Sequence, residues 1–96
     1  VYENARSWHG RCCVVFLARD EEKPRAAGFV AGRKVGGAVQ RNRARRLLRE
    51  SYRSLKHRLP EKGIHLVFVA KAACAKHSLK HVLQEMGELL SRAGVL

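Results

Sequence analysis

The largest group of chemically active side chains in this sequence is a run of cations with almost no acids. Between Arg33 and Arg58 there are ten lysines or arginines and a single acid, Glu50. Guanidinium groups bind phosphate oxygens in a bidentate manner and also stack on nucleobases. The whole chain of 96 residues carries a formal charge of +12 and has a pI near 10.7. Such a charge, concentrated on one segment, is typical of a protein that binds nucleic acid.

A second pattern has the spacing of metal ligands. Cys74, His77 and His81 form C-x2-H-x3-H, which holds zinc when a fourth ligand such as Cys12 or Cys13 folds in. However, surface histidines are common at a helix start and on a polar helix side, and no second paired ligand motif accompanies this one. We therefore predict no metal site in the protein. Three cysteines also argue against a disulfide framework and favour free, buried thiols, with Cys12 and Cys13 on opposite faces of a strand.

His57 and His65 are the remaining candidates for chemistry, as the acid–base pair of a stand-alone ribonuclease. Neither has an acidic partner nearby in sequence to orient its ring. The chain also lacks an acid pair, a nucleophile motif and a phosphate-binding loop. We therefore expect no catalytic residue in the protein itself.

Three apolar runs predict the strands that position these groups. Residues 12–18 and 64–70 are continuous and rich in β-favouring side chains, and residues 26–31 form a shorter run. The polar residues 19–24 lie between the runs 12–18 and 26–31 and predict a turn. The short spacing between these two runs predicts an antiparallel pair.

Two helices follow from apolar residues that recur at steps of three and four. The first covers residues 38–59, and the second covers residues 78–91; residues 1–7 are read as the end of an earlier helix. The predicted buried stripe of the first is Ala44, Leu47, Leu48, Ser51, Tyr52, Leu55 and Leu59, and that of the second is Leu79, Val82, Leu83, Met86 and Leu90. The order (α)ββαβα predicts one α+β domain over residues 1–96, with a small, mostly antiparallel sheet packed against helices.

One side of the first of these helices is basic. On a helical wheel with about 100° per residue, six side chains fall within an arc of roughly 100°, and we call them the basic arc. They are Asn42, Arg45, Arg46, Arg49, Arg53 and Lys56. Like charges at i,i+4 repel each other, and most surface helices mix in acids to avoid this. The uncompensated repulsion favours binding to a polyanion.

This segment resembles the protein subunit of bacterial ribonuclease P. The resemblance rests on Arg33-Lys34-Val35-Gly36, then Ala38-Val39, then Arg41-Asn42-Arg43 leading into Arg45-Arg46-Leu47-Leu48-Arg49-Glu50. The strand that follows and the amphipathic C-terminal helix are similar to the same family. The resemblance implies a βαβ crossover of unusual left-handed sense, whereas composition alone favours a right-handed one.

The resemblance also implies a function. The protein is expected to be a cytoplasmic subunit of a ribonucleoprotein that removes the 5′ leader from precursor tRNA. The RNA subunit would supply the active site, so Mg²⁺ is expected to be bound mainly by that RNA and the substrate. The residues implied to bind RNA are Arg33, Lys34, Arg41, Asn42, Arg43, Arg45, Arg46, Arg49 and Arg53.

The same resemblance implies a surface for the single-stranded leader. Phe16 matches an aromatic residue on the family's first strand, and Tyr2 matches one at the end of its first helix. Base stacking on such a ring contributes about 1–3 kcal/mol per base without sequence specificity. The alternative for Phe16 is an ordinary place in the core.

Two other classes of nucleic-acid protein stay open at this point. One is a non-enzymatic RNA-binding module such as a ribosomal protein, and the other is the stand-alone nuclease considered above. DNA is not an expected partner, because a recognition helix of the helix-turn-helix kind needs an adjacent helix, whereas strands flank this one. No apolar stretch approaches the roughly 18–20 residues that span a bilayer, so no membrane partner is expected either.

Overall fold

A computed structural model describes residues 5–96 of the chain. Within that range it forms four strands, two α-helices and three short 3₁₀ turns. The strands are β1 (Arg6–His9), β2 (Cys13–Pro24), β3 (Ala26–Ala31) and β4 (Lys62–Ala70); the helices are α1 (Ala38–Leu55) and α2 (Leu79–Arg92). The 3₁₀ turns cover Arg33–Val35, Lys56–Arg58 and Cys74–Lys76. The α+β class expected from the sequence is confirmed.

The four strands form one mixed sheet in the order β1-β2-β4-β3. β1 pairs antiparallel with β2, and β2 pairs antiparallel with β4, whereas β3 and β4 run parallel. A parallel pair needs a crossover connection, and α1 supplies it. The left-handed sense of this β3–α1–β4 crossover stays a prediction.

The predicted antiparallel pairing of residues 12–18 with residues 26–31 is wrong. β4 lies between these two segments and pairs with both of them. The physical reason is burial: apart from Lys62 at its start, β4 has no exposed residue, so it suits the centre of the sheet. Short spacing along the chain indicated neighbours, but the crossover returns the chain into the gap between them.

Two predicted boundaries are also wrong. Residues 19–24 do not form a turn, because β2 continues to Pro24 with an irregularity between Asp20 and Pro24. The segment is polar because it projects into solvent, and the chain reverses only at Arg25. Residues 6 and 7 belong to β1 and not to the end of a helix, since Arg6–His9 pairs with the start of β2.

α1 covers one face of the sheet with its predicted stripe. Ala44, Leu47, Leu48, Ser51 and Leu55 are buried as expected. Tyr52 is half-buried within an aromatic cluster formed with Phe29 and Phe68, in which neighbouring ring centroids lie 5.6–5.8 Å apart. Such contacts add about 0.5–1.5 kcal/mol per pair beyond simple burial. The cluster fixes α1 above the β3 edge of the sheet.

α2 packs beside α1 and against β1 and β2. Val82, Met86 and Leu90 are fully buried as predicted, and Leu83 is partly buried. Leu79 is 40% exposed, so its assignment to the stripe is wrong, and Leu89 is buried in the core instead. Leu79 is the first residue of α2, where the helix has not yet reached its packing partners.

The carboxylate of Glu85 attaches α2 to the start of β2. Its two oxygens accept hydrogen bonds of 2.7–3.1 Å from the backbone N–H groups of Arg11, Cys12 and Cys13. Gly10 leaves room for it, because a Cβ there would lie 2.5 Å from the carboxyl carbon of Glu85 and would displace the carboxylate. These hydrogen bonds hold the start of β2 against α2.

All three cysteines are free and buried, as the sequence predicts. Cys12 and Cys13 are expected on opposite faces of a strand. Both are buried, and Cys12 lies just before β2, which begins at Cys13. Burial raises the pKa of Cys12 to about 11 and that of Cys74 to about 12, and the nearby Glu85 carboxylate adds to both shifts. The same causes raise the pKa of Cys13 further.

Candidate nucleic-acid interface

The basic surface begins where the chain turns into α1. Arg33 and Lys34 are exposed in a 3₁₀ turn that ends at Gly36, whose φ of 137° is in the region that favours glycine. Gly37 is the N-cap of α1, and no acid stands in the first turn of the helix. The free backbone N–H groups of that turn add partial positive charge next to the two cations.

The basic arc is exposed along α1 and the 3₁₀ turn that follows it. α1 holds six arginines and no lysine. Five of the six arc residues are exposed, and Arg45 is half-buried. The one acid in this segment is Glu50, whose Oε1 atom lies 4.0 Å from Nε of Arg46. Because both side chains are exposed, this ion pair is weak. The arc therefore keeps most of its charge free to bind an anion.

The three side chains of the Arg41-Asn42-Arg43 motif have different surroundings. The Oδ1 atom of Asn42 accepts a hydrogen bond from Nη2 of Arg45, which leaves the amide NH₂ group of Asn42 available as a donor. Nε of Arg43 donates to the carbonyl oxygen of Ala75 at 2.8 Å, which ties α1 to the turn before α2. Nε of Arg41 is buried and has no hydrogen-bond partner among the described residues. Only Asn42 of the three belongs to the basic arc.

Arg49 connects the basic arc to the edge of the sheet. Its guanidinium carbon lies 5.9 Å from the centroid of the Phe29 ring, within the range of a cation–π contact. Phe29 is on β3, the edge strand, so this contact orients Arg49 along the border between α1 and the sheet.

One residue of this surface is not found by charge counting. Val39 is 78% exposed in the first turn of α1 and lines a groove of about 600 Å³. The other lining residues are Asn42, Arg43, Arg45, Arg46, Leu47 and Arg49. The wheel contains the signal for Val39, since it falls beside Arg46 and away from the apolar stripe. An apolar surface among guanidinium groups suits the face or edge of a base.

Phe16 lies on the face of the sheet opposite to α1. Cross-strand partners share a face, so Phe16 belongs to a row with Ser7, Val67 and Gly28, whereas Val15 belongs to the row of Phe68 and Phe29 beneath α1. Phe16 is 38% exposed. The core alternative for this residue is therefore wrong. Tyr2 lies outside the described residues.

The other candidate groups do not converge on a catalytic site. His57 is exposed in the 3₁₀ turn after α1, and His65 is half-buried within β4. Cys74 is fully buried, whereas His77 and His81 face a surface groove. Within residues 5–96, no group of three histidines, cysteines or acids is placed to hold a metal ion. In the same part of the chain, no helix has both the length and the apolar character needed to cross a membrane.

Fold and surface together define a small, basic α+β protein of the nucleic-acid-binding class. The profile of the Ribonuclease P family matches residues 1–94. The chain belongs to this family, and its function is that of a subunit of the endoribonuclease ribonuclease P.

Similar sequences carry the same description. The ribonuclease P protein component of Symbiobacterium thermophilum is 40% identical over 97 residues, which cover 100% of this chain and 84% of that protein. The corresponding protein of a Clostridium botulinum strain is 32% identical over 95 residues, covering 99% of this chain and 86% of the relative.

Solved structures support the fold. The RNase P protein of Staphylococcus aureus, in a mutant form described as defective in mRNA degradation, matches with a TM-score of 0.84 at 22% identity, covering 98% of this chain and 79% of that one. The RNase P protein from Thermotoga maritima matches with a TM-score of 0.80 at 24% identity, covering 94% and 84%. At this level of identity the likeness concerns the fold.

Proposed function

We propose that this protein binds the RNA subunit of ribonuclease P through the basic arc and the 5′ leader of precursor tRNA on the face of the sheet opposite to α1. In this way it promotes removal of the leader by the RNA-borne active site. The proposed location is the cytoplasm, where reducing conditions keep thiols such as Cys12, Cys13 and Cys74 free.

The observation that carries the proposal is the uncompensated charge of the basic arc. Arg45, Arg46, Arg49, Arg53 and Lys56 stand within about one third of the circumference of α1 and its extension. Their mutual repulsion in the free protein is relieved when phosphates replace water and counterions around them. Arginine, and not lysine, fits a partner that offers both phosphate oxygens and stacked bases.

The proposed RNA-binding residues have four different roles. Arg33 and Lys34 bind phosphates beside the start of α1, and the arc residues Asn42, Arg45, Arg46, Arg49 and Arg53 bind along its length. Arg43 donates the hydrogen of Nε to the carbonyl oxygen of Ala75. Because a guanidinium group has five N–H donors, its terminal nitrogens can still bind phosphate. Arg41 is half-buried, so its terminal group reaches RNA only at the margin of the surface.

The face of the sheet opposite to α1 suits a single-stranded leader. Phe16 and Val67 form an apolar row next to Gly28, whose missing side chain leaves open space above the strand. A base stacks on the exposed ring of Phe16 without sequence readout, as a leader of variable sequence demands. Tyr2 is proposed as a second leader contact from the resemblance.

The proposal places Mg²⁺ with the RNA subunit and the substrate. Mg²⁺ prefers carboxylate and phosphate oxygens. Among the described residues of the proposed RNA-binding surface, the only carboxylate is that of Glu50, which is paired with Arg46. The donor set of this surface therefore suits phosphates and not the ion itself, and the protein acts by adding affinity.

A reconstitution tests the proposal against its alternatives. The protein is added to a bacterial ribonuclease P RNA at low Mg²⁺, and cleavage of precursor tRNA is measured. We expect faster cleavage that requires the RNA subunit. Cleavage by the protein alone would support a stand-alone nuclease, and no effect of the protein would support a non-enzymatic RNA-binding module.

A further inference from the structure

A groove on the side of α2 is used by neither of the proposed RNA surfaces. It measures about 710 Å³ and lies between α2 and the connection from β1 to β2. Three of the five histidines of the chain line it, namely His9, His77 and His81. Such a concentration of imidazoles outside the basic arc has no role in the function proposed above.

Two of these histidines have the geometry of a chelating pair. The ring centroids of His77 and His81 lie 5.7 Å apart, with the ring planes at 89° to each other. A tetrahedral ion bound about 2.0–2.1 Å from one nitrogen of each of two imidazoles places the ring centres roughly 5–6 Å apart. The observed centroid separation of 5.7 Å falls within this range.

The surroundings of His81 prepare one of its nitrogens for a metal. Its Nδ1 atom lies 3.3 Å from the hydroxyl oxygen of Ser78, which also accepts a hydrogen bond from the backbone N–H of His81 and so caps α2. When Nδ1–H donates to Ser78, Nε2 keeps its lone pair. Metal-ligating histidines commonly have their second nitrogen held in this manner. His81 is exposed, so Nε2 is accessible from solvent.

We propose that His77 and His81 together bind one divalent transition-metal ion such as Zn²⁺, with water completing its coordination. Cys74 does not take part, because it is fully buried away from the groove surface. Burial also raises the pKa of its thiol to about 12, so it keeps its proton at neutral pH. The spacing C-x2-H-x3-H thus yields a two-histidine site, and this proposal departs from our expectation from the sequence that the protein has no metal site.

The composition of the groove determines the kind of binding. No third ligand is in place within the described part of the chain, so the site is open and its ion exchanges with solvent. Glu88 and Glu85 lie on the same wall, although the carboxylate of Glu85 is held by backbone N–H groups. The fold does not depend on the ion, since the core beneath α2 is formed by Val82, Met86 and Leu90.

The test uses the full chain without an affinity tag and without RNA, at neutral pH. Zn²⁺ is titrated by calorimetry into the original protein, into His77→Ala, into His81→Ala and into His57→Ala. His57 is the matched control, because it is exposed but lies in the turn after α1. Melting curves establish that each variant folds, which is expected because none of the three side chains is fully buried.

We expect one equivalent of Zn²⁺ to bind, with affinity reduced at least about tenfold in His77→Ala and in His81→Ala and unchanged in His57→Ala. Unchanged affinity in either of the first two variants would overturn the proposal. A Co²⁺ titration adds a spectroscopic readout. Absence of thiolate-to-cobalt charge-transfer bands is expected, whereas their presence would assign the ion to a cysteine and contradict the two-histidine site.

Discussion

Nε of Arg43 donates a 2.8 Å hydrogen bond to the carbonyl oxygen of Ala75. This bond joins α1 to the 3₁₀ turn that precedes α2, across 32 residues of sequence. The guanidinium group of Arg43 thus ties two elements of the fold together, whereas Nε of Arg41 in the same motif has no hydrogen-bond partner among the described residues. Charge alone does not distinguish the two cases.

The first prediction separates these roles by stability. Arg43→Ala removes the hydrogen bond to Ala75 and is expected to lower the free energy of unfolding by about 0.5–1.5 kcal/mol. Arg46→Ala, its control in the same helix, removes an exposed side chain whose weak ion pair with Glu50 is solvent-screened, and it should change stability by less than about 0.5 kcal/mol. Urea unfolding measures both. Equal values for the two variants would show that the Arg43–Ala75 bond does not stabilise the fold.

The second prediction concerns Phe16 and the leader. Phe16→Ala removes a stacking platform and is expected to weaken binding of leader-bearing precursor tRNA to the assembled enzyme by about 1–3 kcal/mol per lost stack. Mature tRNA, which has no leader, should bind as before. The unfolding free energy should fall by only about 1 kcal/mol, as for a cross-strand pair, and not by the roughly 3–5 kcal/mol of a core phenylalanine. Equal weakening of binding for both RNAs would show that Phe16 does not contact the leader.

The third prediction is the dependence of RNA binding on salt. If about six to eight phosphates are neutralised, log K should fall linearly with log salt at a slope steeper than about −4. Binding isotherms with ribonuclease P RNA at several monovalent salt concentrations give this slope. A slope near −1 would mean that the basic arc is not the interface.

The fourth prediction follows from the buried thiols. An unfolded cysteine has an ordinary pKa of 9.0, and folding raises the pKa of Cys12 to about 11 and that of Cys74 to about 12. The folded state therefore holds these protons more tightly. Its extra stability is present below pH 9 and is lost as the pH rises toward 11. Between pH 9 and 10 each such thiol should reduce the free energy of unfolding by about 1 kcal/mol.

Urea unfolding across that pH range measures this loss, and Cys74→Ala provides the comparison. The variant has a different stability at every pH. Between pH 9 and 10, however, its free energy of unfolding should fall by about 1 kcal/mol less than that of the original protein, because one thiol is missing. An identical decline in both proteins would show that Cys74 titrates normally in the folded state.

The sequence predicts those parts of the fold that depend on strong local patterns. The stripe from Ala44 to Leu55 is periodic over several turns, so it predicts both the helix and the side that it buries. β4 is similarly clear, because a continuous apolar run is needed wherever a strand is covered by neighbours on both sides.

Strand order and individual contacts depend on tertiary structure and were not predictable. The insertion of β4 between β2 and β3 depends on where the α1 crossover returns, and the polar residues 19–24 look the same in a projecting strand and in a turn. The hydrogen bond from Arg43 to Ala75 and the position of Arg49 over Phe29 join residues that are far apart in sequence. Charge patterning identified the basic surface, but it did not identify Val39 within it.

We propose that the basic arc, and not the overall charge of the protein, binds the RNA subunit. The most direct measurement is the dissociation constant for ribonuclease P RNA of two double variants with equal charge. Arg45→Ala with Arg46→Ala removes two cations from the arc, and Lys80→Ala with Arg92→Ala removes two exposed cations from α2. We expect the first pair to weaken binding at least about tenfold and to make the salt slope shallower by about 1.4–1.8. The second pair should have a much smaller effect. Equal weakening by both pairs would contradict a localised interface, and no weakening by the first pair would show that the basic arc does not bind the RNA subunit.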